Sequence, residues 1–174
     1  MPRHALVVMG TAGAGKSRIG EALATSLQIP FIEGDAFHPP KNVAQMQAGI
    51  PLNDENRQGW LLALAAQLRD ARDRNRGVVL TCSALRRRYR DVLRSGDASI
   101  RFILLRGDIA LLRERLNART GHYMPVSLLD SQIATLEIPS PDENAWTYDV
   151  RQTPDDIVNA IVARLRIEAG QPSA

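Results

Sequence analysis

Five short apolar runs recur along the chain, and the longer stretches between them carry helical spacing. Ala5–Met9, Phe31–Glu33, Val78–Cys82, Ile100–Leu105 and Trp146–Val150 are too short for stable helices and suit buried parallel strands. After the first run, Lys16–Leu27 places Ile19, Leu23 and Leu27 on one helical face, and Pro30 stops any continuation. The stretch from Gly34 to Arg76 holds one amphipathic helix, with Trp60, Leu61, Leu64 and Leu68 on its apolar face and Asn53 or Asp54 as its N-cap. Asp108 caps a helix carrying Leu112 and Leu116 that runs out near Gly121, and Val126–Leu136 forms the next. Thr153 and Pro154 supply the N-cap and first position of a terminal helix.

Strands alternating with helices predict right-handed crossovers and a parallel sheet covered on both faces, an α/β fold. No repeat, linker or low-complexity tract divides residues 1–174, so one domain is expected. In such sheets ligands bind beyond the carboxyl ends of the strands, which directs attention to residues just after each apolar run.

Composition narrows the picture modestly. A hydrophobic share of 44% with 24% charged residues is ample for one core and argues against disorder. No run approaches the roughly 20 apolar residues that span a bilayer, and Met1-Pro2-Arg3-His4 leads directly into a strand, so a cytoplasmic protein without membrane attachment is expected. Cys82 has no partner for a disulfide or a zinc site. The charge of +3 and pI near 9.5 favour anionic partners without choosing among nucleic acid, phosphates and carboxylates.

Gly10-Thr11-Ala12-Gly13-Ala14-Gly15-Lys16-Ser17 matches G-x-x-x-x-G-K-[ST] between an expected strand and an expected helix. Glycines let the loop curl so that successive N–H groups point at phosphate oxygens, and the helix N-terminus adds a favourable dipole. Lys16 reaches the β and γ phosphates in such a loop, and Ser17 offers its hydroxyl to Mg²⁺; ATP with Mg²⁺ is the expected donor. A regulatory GTPase would need D-x-x-G and N-K-x-D elements, and the sequence has neither. Arg86-Arg87-Arg88 with Tyr89 and Arg90 motivates a nucleic-acid-binding alternative, although at helical spacing these arginines point in different directions.

Further along, Gly34-Asp35 with His38-Pro39, then Gly49, Pro51-Leu52, Asp54, Arg57 and Trp60, then Cys82-Ser83-Ala84-Leu85, follow one another. Tyr89-Arg90-Asp91, Leu93-Arg94, Arg115, Arg119, His122, Ser131-Gln132, Leu136-Glu137 and Pro139 continue the series. In this order, over residues 5 to about 150, the chain resembles the small gluconokinases of the thermoresistant type, relatives of shikimate and nucleoside monophosphate kinases. The departures are Ala12 and Ala14 where serine is frequent, Arg86 where lysine is frequent, and Asn56 at a place often acidic, to which no role is assigned. Shikimate kinases typically carry D-x-D after the second strand, where this chain has Glu33-Gly34-Asp35.

The resemblance implies a three-layer P-loop fold with about five parallel strands, an acceptor-binding insertion at about 36–76 and a mobile helical lid at about 115–135. It also implies a homodimer, gluconate as the acceptor, and another small-acid or nucleotide kinase as the runner-up. Asp35, just after the second strand, is expected to orient or deprotonate the attacking hydroxyl, against the alternative of a turn aspartate. His38, held extended by Pro39, is a donor to a polyol hydroxyl or a loop histidine. Arg57, Ser83 and Arg90 are candidates for the acceptor's carboxylate and hydroxyls, with surface ion pairs and a helix cap as their structural alternatives. Arg115 and Arg119 stand one turn apart before Gly121-His122-Tyr123, as lid arginines that close over phosphates, with His122 on the acceptor side, or as a basic surface helix. Trp60, Trp146 and Cys82 are expected in the core.

Overall fold

The computed structural model describes residues 2–118 and 127–170. Strands β1 (Ala5–Met9), β2 (Phe31–Glu33), β3 (Val78–Thr81), β4 (Arg101–Arg106) and β5 (Ala145–Asp149) form one parallel sheet in the order β2-β3-β1-β4-β5. β1 lies at the centre, with Val7 opposite Leu80 on one side and Phe102 on the other. The order steps outward from β1 in both directions, so a crevice opens at its carboxyl end.

Alternation along β1 divides the core. Leu6 and Val8 face a cluster built with Ile19 and Leu23 of α1 (Lys16–Leu27) and Ile157 and Ile161 of α7 (Pro154–Glu168). Ala5, Val7 and Met9 face the opposite cluster, with Leu61, Leu64 and Leu68 of α3 (Asp54–Asp73) and Leu93 of α4 (Arg87–Gly96). A period-2 strand covered on both faces must be apolar at every position, which is why β1 reads as a continuous run. Among the described residues no helix is long and apolar enough to cross a membrane.

Most expected elements form with ends shifted by about a residue, as fraying termini allow, but the helix after Asp108 ends at Asn117, a turn before the expected stop near Gly121. Asn53 caps α3 by accepting the Asn56 N–H at 2.8 Å, and the Asn56 side chain returns the bond to the Asn53 N–H at 3.2 Å, a reciprocal capping box. Thr153 caps α7 as expected, accepting from the Asp156 N–H at 3.1 Å. Asp108 precedes α5 (Ile109–Asn117), but its side chain makes no capping hydrogen bond. The expected helix at Val126–Leu136 is α6, Ser127–Thr135. Two helices lie outside the expected set: α4, whose arginines mask its apolar stripe, and α2 (Pro40–Gln47), which buries only Asn42 and Met46. Cys82, directly after β3, is buried, and that burial pushes its thiol up to about 12.

Candidate active site

The phosphate loop leaves β1 at Met9 and turns into α1 through Gly15. Gly13 has φ +81, and a Cβ there would sit 2.8 Å from the Leu112 carbonyl oxygen, so glycine is required twice over. Lys16 Nζ donates to the Thr11 carbonyl at 3.1 Å, and the Ala12 N–H donates to Gln132 Oε1 of α6 at 2.7 Å. Ser17 Oγ donates to Glu33 Oε2 at 2.5 Å, while Thr81 Oγ1 donates to Glu33 Oε1 at 2.6 Å. A serine hydroxyl beside a carboxylate at the loop is a hard-oxygen set that fits Mg²⁺ carried on phosphates. Among the described residues no cluster of three or more acidic, His or Cys side chains could cage a metal without phosphates.

Across the crevice, β2 ends in a 3₁₀ turn over Gly34–Phe37. A Cβ on Gly34 would lie 1.8 Å from the Thr81 carbonyl oxygen, so only glycine lets this turn hug β3 and present Asp35. Trp60 reinforces the turn by donating its indole N–H to the Gly34 carbonyl at 2.8 Å. The same indole stacks on His38 at 3.9 Å between ring centroids, with planes 20° apart. His38 Nε2 stands 3.9 Å from Asp35 Oδ1, too far for a direct hydrogen bond. Burial lowers the His38 pKa to about 4; Asp35 opposes the shift and Arg57 adds to it.

Arg57, from the first turns of α3, donates to the Tyr89 hydroxyl at 3.1 Å and lies over its ring at 5.2 Å. Tyr89 in turn donates to Asp54, so the guanidinium is braced on an α4 side chain. Ser83 follows β3, where the Gly10 N–H meets its carbonyl at 3.4 Å. Lys16, Ser17, Asp35, His38, Arg57 and Ser83 line one cavity, with Met46, Leu52 and Trp60 as its apolar wall and Gln132 from α6. A second groove flanks the loop on its other side, between Gly13, Gly15, Arg18, Gln152 and Pro154. Arg115, expected as a lid arginine that closes over phosphates, lines that groove and donates to the Val150 carbonyl at 2.7 Å.

One expected acceptor ligand is corrected. Arg90 is fully buried and turned away from the cavity: its Nε and Nη2 donate to Glu143 at 2.7 and 3.2 Å, and its Nη1 to the Ala84 carbonyl at 2.8 Å. The sequence offered helical spacing for the arginine run but predicted no helix there and could not show which side of α4 (Arg87–Gly96) faces the core. The neighbouring basic run disperses similarly, with Arg87 paired to Asp142 and Arg88 to Asp54. Arg119 and His122 lie outside the described residues.

Four contributors were not anticipated at the site. Glu33 was legible as the last residue of an apolar strand at a carboxyl edge, a costly place for a charge without a partner. Trp60 is core, as expected, and is also the platform for His38. Tyr89 and Gln132 carried no local signal, because their partners lie 32 and 120 residues away.

Comparison with known proteins supplies the family. The shikimate kinase family profile matches residues 12–166. The chain is 44% identical over 163 residues to a gluconokinase of Gluconobacter oxydans, covering 94% of this chain and 92% of that one. It is 37% identical over 160 residues to the thermoresistant gluconokinase of Escherichia coli, covering 91% of each. The crystal structure of a gluconokinase from Sinorhizobium meliloti superposes with a TM-score of 0.84 at 44% identity, covering 95% of both chains. A phosphate loop facing a polar cavity on a 2-3-1-4-5 sheet, together with 37–44% identity to gluconokinases over most of the chain, places the chain in the gluconokinase family of P-loop kinases.

Proposed function

We propose that the protein transfers the γ-phosphoryl group of ATP to the primary hydroxyl of D-gluconate, releasing ADP and 6-phospho-D-gluconate. The observation that carries this reading is the shared cavity, in which Lys16 and Ser17 of the phosphate loop meet Asp35, His38, Arg57 and Ser83. An open-chain sugar acid needs a cation for its carboxylate and mixed donors and acceptors for its hydroxyls. Arg57 supplies the first, and Asp35, His38 and Ser83 supply the second.

In the proposed reaction the acceptor oxygen attacks the γ-phosphorus in line, the bond to the ADP oxygen breaks, and the hydroxyl proton passes to Asp35. Lys16 stabilises charge on the transferring phosphoryl oxygens. Ser17 would hold Mg²⁺ against the phosphates, with Glu33 orienting the serine hydroxyl, and the ion would offset phosphate charge. Arg115 belongs to the nucleotide side. Arg119 and His122 keep the roles the resemblance implies, in a lid over about 115–135 that closes on phosphates and acceptor. A cytoplasmic location, where ATP is available, and a homodimer belong to the same reading.

The test is a coupled ADP-release assay with Mg²⁺ across gluconate, other sugar acids, shikimate and nucleoside monophosphates. Gluconate should give the highest kcat/KM. A better rate with shikimate or a nucleotide would replace the acceptor while leaving the donor site intact.

A further inference from the structure

Asn42 on α2 is fully buried, and its environment fixes which way its amide points. Its Nδ2 lies 2.9 Å from the Asn56 carbonyl oxygen in the first turn of α3. A carbonyl only accepts, so the atom facing it must be the amide nitrogen. That same Nδ2 faces His38 Nδ1 at 3.5 Å. A proton on Nδ1 would set two donors head to head, whereas a lone pair there receives the amide N–H. The imidazole proton is thereby left on Nε2, the nitrogen that faces Asp35. The amide's other end, Asn42 Oδ1, has no hydrogen-bond partner among the described residues. A buried carbonyl left unpaired destabilises the fold, so an apolar residue of similar volume would serve stability better; the donor end is what this position uses.

We propose that Asn42 and Trp60 are positioning residues that hold His38 as the Nε2–H tautomer, so that His38 and Asp35 grip one acceptor hydroxyl, the first as donor and the second as acceptor. The 3.9 Å between Nε2 and Oδ1 suits this. Two hydrogen bonds of about 2.8 Å meeting at a hydroxyl oxygen at roughly 90° span it. Trp60 sets both sides of the grip, since its N–H pins the Gly34 carbonyl next to Asp35 while its face carries the imidazole. The charged groups facing the ring are Asp35 from the 3₁₀ turn and Arg57 from α3. Asp35 favours the protonated ring and Arg57 opposes it, and burial, the largest influence, acts with Arg57, so the ring stays neutral over roughly pH 5–8. Only a neutral ring with a defined tautomer discriminates: an imidazolium would donate from both nitrogens and collide with Asn42, and the Nδ1–H form would offer the hydroxyl no proton. The grip therefore selects a group that donates and accepts at once, a hydroxyl over a carbonyl or a methyl.

This inference rests on the proposed acceptor role of the cavity, and its test separates the two. Nitrogen NMR of histidine-labelled, ligand-free protein reports the tautomer whatever the acceptor is, with His38→Gln assigning the signal among His4, His38 and His122. A pyrrole-type Nε2 and a pyridine-type Nδ1, unchanged between pH 5.5 and 8, are expected. A pyrrole-type Nδ1, or titration of His38 in that range, would overturn the proposal even if gluconate is phosphorylated. Asn42→Asp supplies the kinetic arm, because a carboxylate beside Nδ1 draws the proton there and favours the imidazolium. Acceptor kcat/KM should fall about tenfold or more, with ATP KM within about twofold, and should acquire a pH dependence between 5.5 and 7.5 that the parent lacks. Asn42→Leu should lose acceptor kcat/KM to a similar extent without the new pH dependence. Unchanged acceptor kinetics in both variants would refute the assignment, and if neither variant folds, the spectrum of the parent protein decides.

Discussion

Replacing Glu143 by Gln keeps the shape of the side chain and removes one charge from the most enclosed ion pair among the described residues. The side chains of Arg90 and Glu143 are 0% and 1% exposed. Glu143 accepts from Arg90 Nε at 2.7 Å, Arg94 Nη2 at 3.0 Å and the Ser140 N–H at 2.9 Å, so donors surround both carboxylate oxygens. Whichever way a glutamine amide turns, its NH₂ confronts a guanidinium or a backbone N–H, and Arg90 cannot shed its proton to escape. Breaking a buried pair in this manner costs about 3–5 kcal/mol. For a chain of this size that corresponds to a fall in Tm of roughly 6–20 °C. Urea unfolding followed by Trp60 and Trp146 fluorescence measures it. A loss below about 1 kcal/mol, the scale of a surface pair, would refute the reasoning. Arg90→Met combined with Glu143→Leu should recover most of the loss, because a well-packed apolar pair avoids desolvating two charges. That double variant should keep its acceptor KM; a selective rise would return Arg90 to the acceptor site. The pH dependence has a definite sign. Burial pushes the Glu143 carboxyl up, but Arg90, the Ser140 N–H and Arg94 outweigh it and hold the group at about 2, below its ordinary 4.5. The resulting stability is complete above pH 4.5 and is lost as pH falls toward 2, and the glutamine variant should lack that acid limb.

Lys16→Ala should leave unfolding unchanged and reduce kcat about a hundredfold or more, as deletion of one group aimed at transition-state charge does; near-normal turnover would remove Lys16 from phosphoryl transfer. Asp35→Asn should lower kcat far more than ATP affinity, measured by steady-state kinetics beside nucleotide titration, and equal losses would move Asp35 to the metal side. Glu33→Gln should raise the Mg²⁺ concentration needed for half-maximal rate several-fold, since Ser17 would lose its charged acceptor; an unchanged Mg²⁺ requirement would leave Glu33 a partner of Thr81 alone.

The fold was legible because strand and helix periods differ and the chain keeps them apart: β1 is apolar at every position, while α3 shows Trp60, Leu61, Leu64 and Leu68 on one face. α2 was not legible, since its buried positions are one methionine and one asparagine and the stripe that signals a helix is absent. At the site, groups tied to local motifs, Lys16, Ser17, Asp35 and Ser83, came from spacing and strand ends. Arg90 went the other way. Its neighbours on α4 do not reveal that Glu143, 53 residues on, neutralises it, and pairings of that separation are decided by tertiary packing. His38 was placed correctly on its loop, but its dependence on Asn42 and Trp60 requires the α2 to α3 contact that only three dimensions supply.

Cys82 gives the molecule a gauge of its own opening. It is the sole sulfhydryl in the chain, it stands directly after β3 and immediately before Ser83, and at a pKa of about 12 almost none of it is thiolate in the folded state. Since the thiolate is the species that alkylates, an electrophile such as iodoacetamide must wait until the carboxyl edge of the sheet comes apart. The labelling rate at fixed pH then counts excursions of that edge. Because the neighbouring serine lines the cavity proposed to take the acceptor, a sugar acid that binds there should slow the count, which would make occupancy readable by mass spectrometry without any turnover.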